Sequence, residues 1–220
     1  MLRKLLKVFF LNFFFLSPYV LTLEIEVDGI LDEKEWSQAK EITKYYESLP
    51  FTLNDASGSQ KVLVLEDEDG IYFGFINFQD EETIRVQKHQ RDDEMANADM
   101  VGVSIDFDGD GLLSYGFSIS AGGSILDNVV RNENEVNYDW DSDWGHGVSI
   151  GKDVWYAEMF IPWSVAPMKA QKGDKRRVRL SFYRWLVSEY IVRSTIKGNA
   201  MTEKFISIFL YFTIYFYSPF

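Results

Sequence analysis

The segment from residue 137 to residue 144 reads NYDWDSDW and carries the residue types that bind sugars. Trp140 and Trp144 offer flat apolar rings that can stack on the C–H face of a sugar, and Tyr138 adds a third ring. Carboxylates between the rings can bind sugar hydroxyls. Because aromatic side chains in such a polar loop are expected to be partly exposed, the segment predicts a carbohydrate-binding loop. The alternative is that one tryptophan closes the core at the end of the fold.

Three other polar side chains are candidates for contacts with a sugar. Arg91 lies in a polar connection between two predicted strands. Asp127 and Arg131 lie on the predicted strand that precedes the aromatic loop. Arg131 can either reach sugar hydroxyls or pair with Glu133 or Glu135, and the ion pair is the simpler interpretation. All three are taken as predicted binding residues.

Three aspartates in a turn raise the question of a metal. Asp106, Asp108 and Asp110 form the D-x-D-x-D-G start of a calcium loop, with oxygen ligands at alternate positions. Phe117 occupies the twelfth position, where an EF-hand has a bidentate Glu, so an EF-hand is excluded. The same aspartates can instead shape a tight turn by accepting bonds from backbone amides. No cofactor is required, and a structural calcium ion is the one cofactor that the sequence suggests.

The sequence carries no established catalytic motif. It lacks G-x-S-x-G, a phosphate-binding glycine loop and a zinc signature, and it has two His and no Cys. Glycoside hydrolysis needs two carboxylates about 5–10 Å apart, but among 34 acidic residues some pair meets that distance by chance. We therefore predict a binding module without catalysis of its own. The alternative is a fragment of a glycoside hydrolase whose catalytic part lies elsewhere.

A predicted β-hairpin over residues 99–120 organises the elements that position these residues. Apolar side chains alternate with Gly, Ser and Asp on both sides of a DGDG turn, which is typical of two paired strands with one buried face. Further strands are predicted at residues 25–27, 61–65, 71–78, 125–130, 148–150, 154–161 and 178–183. Their number and spacing predict an all-β fold: a two-sheet antiparallel β-sandwich of jelly-roll or immunoglobulin-like type with one or two short helices.

The two ends of the chain differ from the middle. Residues 1–23 have a basic start and a short apolar run, as a signal peptide does. The sandwich is assigned to residues 24–186, which leaves residues 187–220 as an atypical tail with an apolar run near its end. That run is interpreted as a membrane anchor, as a strand of a larger barrel or, preferably, as truncated or non-native sequence. We expect a secreted protein, periplasmic or on the cell surface, that meets a membrane only through an uncleaved leader or the tail. Its oligomeric state stays open.

Charge and cysteine content narrow the partners. The net charge is −12, and a negative surface repels phosphate backbones, so nucleic acid is excluded as a partner. The absence of cysteine excludes disulfides and thiolate metal sites but not secretion.

Five motifs in order resemble the family 9 carbohydrate-binding module. They are VDGILDEKEW at residues 27–36, GIYFGF at 70–75, RDD at 91–93, the aspartate-led strand and turn at 99–111, and EMFIPW at 158–163. With Arg184 and Trp185 after the last predicted strand, the pattern also resembles the N-terminal module of large secreted bacterial proteins.

The resemblance implies a β-sandwich that binds oligo- or polysaccharides and is attached to a larger glycan-degrading protein. It also implies structural calcium in some members and a sugar held between two tryptophans, here Trp140 and Trp144. Arg91 matches a position that bears an arginine. A haem-binding sandwich of the DOMON type is a further alternative, but the two His and six Met form no convincing axial pair.

Overall fold

The computed structural model describes residues 23–93, 96–132, 135–171, 175–195 and 212–217. Two antiparallel sheets face each other, which confirms the predicted all-β sandwich. The strands are β1 (Lys40–Ile42), β2 (Tyr46–Leu49), β3 (Gln60–Glu66), β4 (Gly70–Phe78), β5 (Met100–Asp106), β6 (Leu113–Ser120), β7 (Ile125–Arg131), β8 (Glu135–Asn137), β9 (Gly145–Gly151), β10 (Val154–Pro162), β11 (Lys175–Leu186), β12 (Ile191–Ser194) and β13 (Phe212–Tyr217). The helical segments in these ranges are short 3₁₀ helices at Lys34–Gln38, Glu81–Thr83, Trp163–Val165 and Val187–Glu189.

The two sheets have different widths. Sheet A has the order β1-β3-β4-β10-β9, and sheet B has the order β2-β12-β11-β5-β6-β7-β8, with β13 also paired to β11. The core between them is rich in aromatic rings, and Phe182 of β11 meets both Phe73 and Phe75 of β4 edge to face. Such edge-to-face pairs add to the apolar burial that holds the layers together.

The predicted hairpin forms as β5 and β6. Val103 lies opposite Phe117 in the register, and both side chains are fully buried in the core. The outer face of the hairpin is buried too, which the alternation did not predict. Gly102 permits this, because a Cβ atom there would lie 2.4 Å from the ring of Tyr183, whose hydroxyl bonds Ser118.

Sheet B extends beyond sheet A on one side. Trp144, which precedes the edge strand β9, contacts Phe117 of β6 at 5.6 Å between ring centroids. At this side of sheet B, the inner face of β7 and β8 carries two buried residues, Asp127 and Val129, and three exposed residues, Arg131, Glu135 and Asn137. We call this surface the overhang, defined by the inner-facing residues Asp127, Val129 and Arg131 of β7 and Glu135 and Asn137 of β8.

The N-terminal segment packs on the outer face of sheet A. Trp36 joins an apolar cluster with residues of β3 and β4, and the turn at Gly29 (φ +92°) lies directly on the backbone of Val148. Residues 25–27 form no strand, and Ile25 and Val27 pack instead against the apolar cluster of β3 and β4. The 3₁₀ helix begins after Glu33 without a side-chain cap.

Sheet B continues past residue 186, where the sequence analysis ended the sandwich. Both β12 and β13 pair with β11, so part of the assigned tail contributes strands. Residues 1–22 of the predicted signal peptide lie outside the described residues. In the part of the chain that the structure describes, no helix is long and apolar enough to cross a membrane.

Candidate functional site

The structure brings Arg91, Asp127 and the aromatic loop together at the overhang. Asp127 lies on β7 and is fully buried. Arg91 comes from the long connection between β4 and β5, and its Nη2 donates to both carboxylate oxygens of Asp127 at 2.9 and 2.8 Å. The same nitrogen donates to the carbonyl oxygen of Ser142 at 3.0 Å. One guanidinium thus joins three segments that are distant in sequence.

Asp127 and Arg91 have further partners that brace the loops. The second oxygen of Asp127 accepts the backbone N–H of Ser142 at 2.9 Å, and the backbone N–H of Asp127 donates to Asp92 at 3.0 Å. Arg91 Nε lies 2.9 Å from a carboxylate oxygen of Asp141. Burial raises the pKa of the Asp127 carboxyl, although the bonds from Ser142 and Arg91 oppose that shift. The cluster is therefore a rigid, charge-dense anchor for the loop.

Trp140 is half-buried beside this anchor. Its ring meets Tyr115 at 5.0 Å and Phe117 at 5.9 Å between centroids, both in edge-to-face geometry. Edge-to-face contacts hold a ring firmly without stacking over its whole face. Tyr138 is also half-buried in the same loop. Trp140 therefore provides a braced and partly accessible ring at the overhang.

Trp144 corrects the expectation that both loop tryptophans stand in solvent. Its side chain is only 8% exposed and belongs to the main core. The reason is its place immediately before β9, from which the ring enters the space between the sheets and contacts Phe117 and His146. The indole Nε1 has no hydrogen-bond partner among the described residues. A buried ring offers no face to a sugar, so the two tryptophans do not form an open stacking pair.

Arg131 is exposed on the overhang, directly opposite Glu135 in the register of β7 and β8. Glu135 also accepts a bond from Asn132 at 2.9 Å. The alternative partner Glu133 lies outside the described residues. No ion pair between Arg131 and Glu135 occurs among the described residues, so the role of Arg131 stays a prediction.

The D-x-D-x-D turn uses its carboxylates for other contacts. Asp106 is fully buried and accepts the backbone N–H groups of Gly109 and Gly111 at 2.7 and 2.8 Å. Asp110 lies 2.7 Å from the amine of Lys169, and Asp108 accepts the Lys169 backbone N–H at 2.8 Å. N–H donors and an amine thus contact these oxygens, as in a capped turn, and a calcium ion at this turn stays a prediction.

Two further parts of the site, Asp92 and Ser142, were not predicted individually, and Asp141 was predicted only as one of the carboxylates of the aromatic loop. Asp92, Asp127 and Asp141 place oxygens within 4.8 Å of one another, and the Arg91 guanidinium pairs with all three. The RDD and DWDSDW segments carried the signal, but they are about 50 residues apart and only the fold joins them. Three other tryptophans, Trp36, Trp155 and Trp163, are buried.

Comparison with known proteins supports the fold. No family model matches the chain, and no curated protein matches it. A candidate carbohydrate-binding protein from Bacteroides uniformis ATCC 8492 superimposes with a TM-score of 0.60 at 12% identity, over 83% of this chain and 87% of the other. A family 9 carbohydrate-binding module from Caldicellulosiruptor kristjanssonii, solved with glucose, gives 0.56 at 12% identity, over 90% and 93%. The resemblance carried by the sequence motifs thus extends to the three-dimensional fold.

Proposed function

We propose that this protein binds saccharides at the overhang, with Trp140 as a single stacking ring and Arg91 as a hydrogen-bond donor. The observation that carries the proposal is the position of a braced, half-buried Trp140 beside the Arg91–Asp127 anchor. An aromatic face next to fixed polar groups is what recognition of a sugar requires.

The polar groups around Trp140 can both donate hydrogen bonds to sugar hydroxyls and accept hydrogen bonds from them. Arg91 Nη1 makes no hydrogen bond within the described residues, so its two N–H groups are available as donors. Asp141 is 65% exposed, and one of its oxygens faces Arg91 while the carboxylate keeps further acceptor capacity. Asn137 is exposed on the neighbouring strand. A hydroxyl can therefore find both donors and acceptors beside the ring.

The biological role follows from the same proposal. We infer a non-catalytic module that supports recognition and breakdown of extracellular polysaccharides as part of a larger glycan-degrading or outer-surface protein. The signal-like start of the sequence favours secretion. The similarity of fold to a module solved with glucose supports a saccharide as the ligand.

The test is a glycan array followed by calorimetry on the best ligand. We expect Trp140→Ala to cost about 1–3 kcal/mol of binding free energy, by analogy with the stacking of bases on aromatic rings. The matched control is Trp185→Ala, since Trp185 is a partly exposed tryptophan on β11, away from the overhang. Equal affinity of the wild type and the Trp140→Ala variant would contradict the proposed site.

A further inference from the structure

We infer that the overhang selects uncharged saccharides and rejects uronic-acid and sulfated sugars. The inference rests on the proposed function and goes beyond it by naming the class of ligand. The reason is that the Arg91 guanidinium already pairs with carboxylates of the protein itself.

An arginine beside a stacking ring would ordinarily favour an acidic sugar, because guanidinium groups bind carboxylates and sulfates well. Here the Arg91 side chain already meets three carboxylates. The shortest nitrogen–oxygen distances are 2.8 Å to Asp127, 2.9 Å to Asp141 and 3.6 Å to Asp92. One positive charge faces three negative charges, so the local charge is negative before any ligand arrives.

The geometry of the bonds leads to the same conclusion. A carboxylate is held best by two parallel N–H groups from neighbouring guanidinium nitrogens. Asp127 already occupies such a pair of N–H groups, since its carboxylate accepts hydrogen bonds from both Nε and Nη2 of Arg91. Only Nη1 remains without a bond among the described residues. A single nitrogen suits a neutral hydroxyl or ring oxygen, but it cannot hold an anionic group in the bidentate manner.

The surroundings of the site add to the repulsion. The loop carries Asp139 and Asp143 as exposed residues, and β8 adds the exposed Glu135. The arginine of the overhang itself, Arg131, lies opposite Glu135 in the register. An approaching uronate would therefore meet a surface with an excess of negative charge. Such repulsion weakens as salt screens charges over about 8–10 Å.

The experiment compares pairs of polysaccharides that share a backbone and differ in charge. The probes are xylan with glucuronoxylan, cellulose with cellulose oxidised at C6, and methyl-esterified with de-esterified homogalacturonan. We expect the neutral member of each bound pair to bind about tenfold more tightly at low ionic strength, and the difference to shrink in about 0.5 M salt.

Variants separate the effect of this site from the overall charge of the protein. The double variant Asp92→Asn/Asp141→Asn frees Arg91 from two carboxylates, so it should narrow the discrimination several-fold. Asp32→Asn is the matched control, because Asp32 is exposed on the N-terminal segment and its loss changes the net charge at a distance. Equal or tighter binding of the charged members by the wild type would overturn the inference alone. Failure of every neutral member to bind would instead contradict the proposed function, and the inference with it.

Discussion

Two buried carboxylates, Glu158 on sheet A and Asp127 on sheet B, are stabilised in opposite ways. Glu158 is 1% exposed and accepts bonds from the backbone N–H groups of Gly29 and Asp28 at 2.7 and 3.0 Å, and from the indole of Trp36 at 3.2 Å. No ion pair to Glu158 occurs among the described residues. Asp127 is equally buried but is paired with a guanidinium.

The difference separates a structural site from a candidate functional one. Glu158 holds the N-terminal segment against sheet A through neutral donors, and its neighbour Glu33 shares the Trp36 indole at 3.1 Å. Burial, with the nearby charge of Glu33, raises the pKa of Glu158 to about 7. Asp127 keeps a cation at the surface instead, where its spare donors can reach a ligand. Glu158 therefore locks the N-terminal segment in place, whereas Asp127 positions Arg91, whose side chain is 38% exposed.

The largest effect is expected from Glu158→Ala. It leaves the N–H groups of Asp28 and Gly29 and the Trp36 indole without their acceptor, so the free energy of unfolding should fall by about 3 kcal/mol. Urea denaturation at pH 5.5 measures this. A loss below about 1 kcal/mol would show that the segment does not depend on Glu158.

The pH dependence of stability should distinguish the two carboxylates further. Glu158 has a folded-state pKa of about 7, above its ordinary value of 4.5. Its contribution is therefore fully present below about pH 4.5 and is lost as the pH rises through about 7. The shift corresponds to about 3 kcal/mol at most.

The comparison variant is Glu158→Gln, which does not titrate. Wild-type stability should decline relative to this variant between pH 5 and pH 8, as followed by thermal unfolding across that range. Parallel stability profiles for the two proteins would mean that Glu158 titrates at its ordinary pKa.

A smaller loss of stability is expected from Asp127→Ala, about 2 kcal/mol. The partly buried N–H of Ser142 loses its acceptor, but the partly exposed Arg91 can regain water. The same variant should lose most of its saccharide binding, because Arg91 and the aromatic loop are no longer held together. Denaturation and calorimetry on one preparation compare the two losses. Unchanged saccharide affinity of the Asp127→Ala variant would contradict the role of Asp127 in the binding site.

The smallest effect is expected from calcium. The aspartates of the turn at residues 106–110 already accept backbone N–H groups and the Lys169 amine. Millimolar calcium or EDTA should therefore change the melting temperature by less than about 1 °C. A rise of several degrees with calcium, reversed by EDTA, would show that the turn rearranges around the metal.

Features determined by residues close together in the sequence were predicted, whereas features that depend on contacts between distant residues were not. The hairpin was predicted because Val101 to Ile119 show the two-residue period on both sides of a glycine turn. The short strands β1, β2, β8 and β12 were missed, because three or four residues carry too little periodicity. Arg91 and Asp127 were both identified as candidates, but their pairing could not be predicted since no local pattern joins them.

The residue types and their alternation along the chain were sufficient to specify a β-sandwich and to mark the aromatic loop as unusual. These properties follow from local backbone geometry, which the chemistry of adjacent side chains controls. The exposure of each tryptophan was settled only when the sheets packed. The unequal widths of the sheets place Trp144 between them and leave Trp140 at the overhang, and that difference arises from contacts between residues remote in sequence.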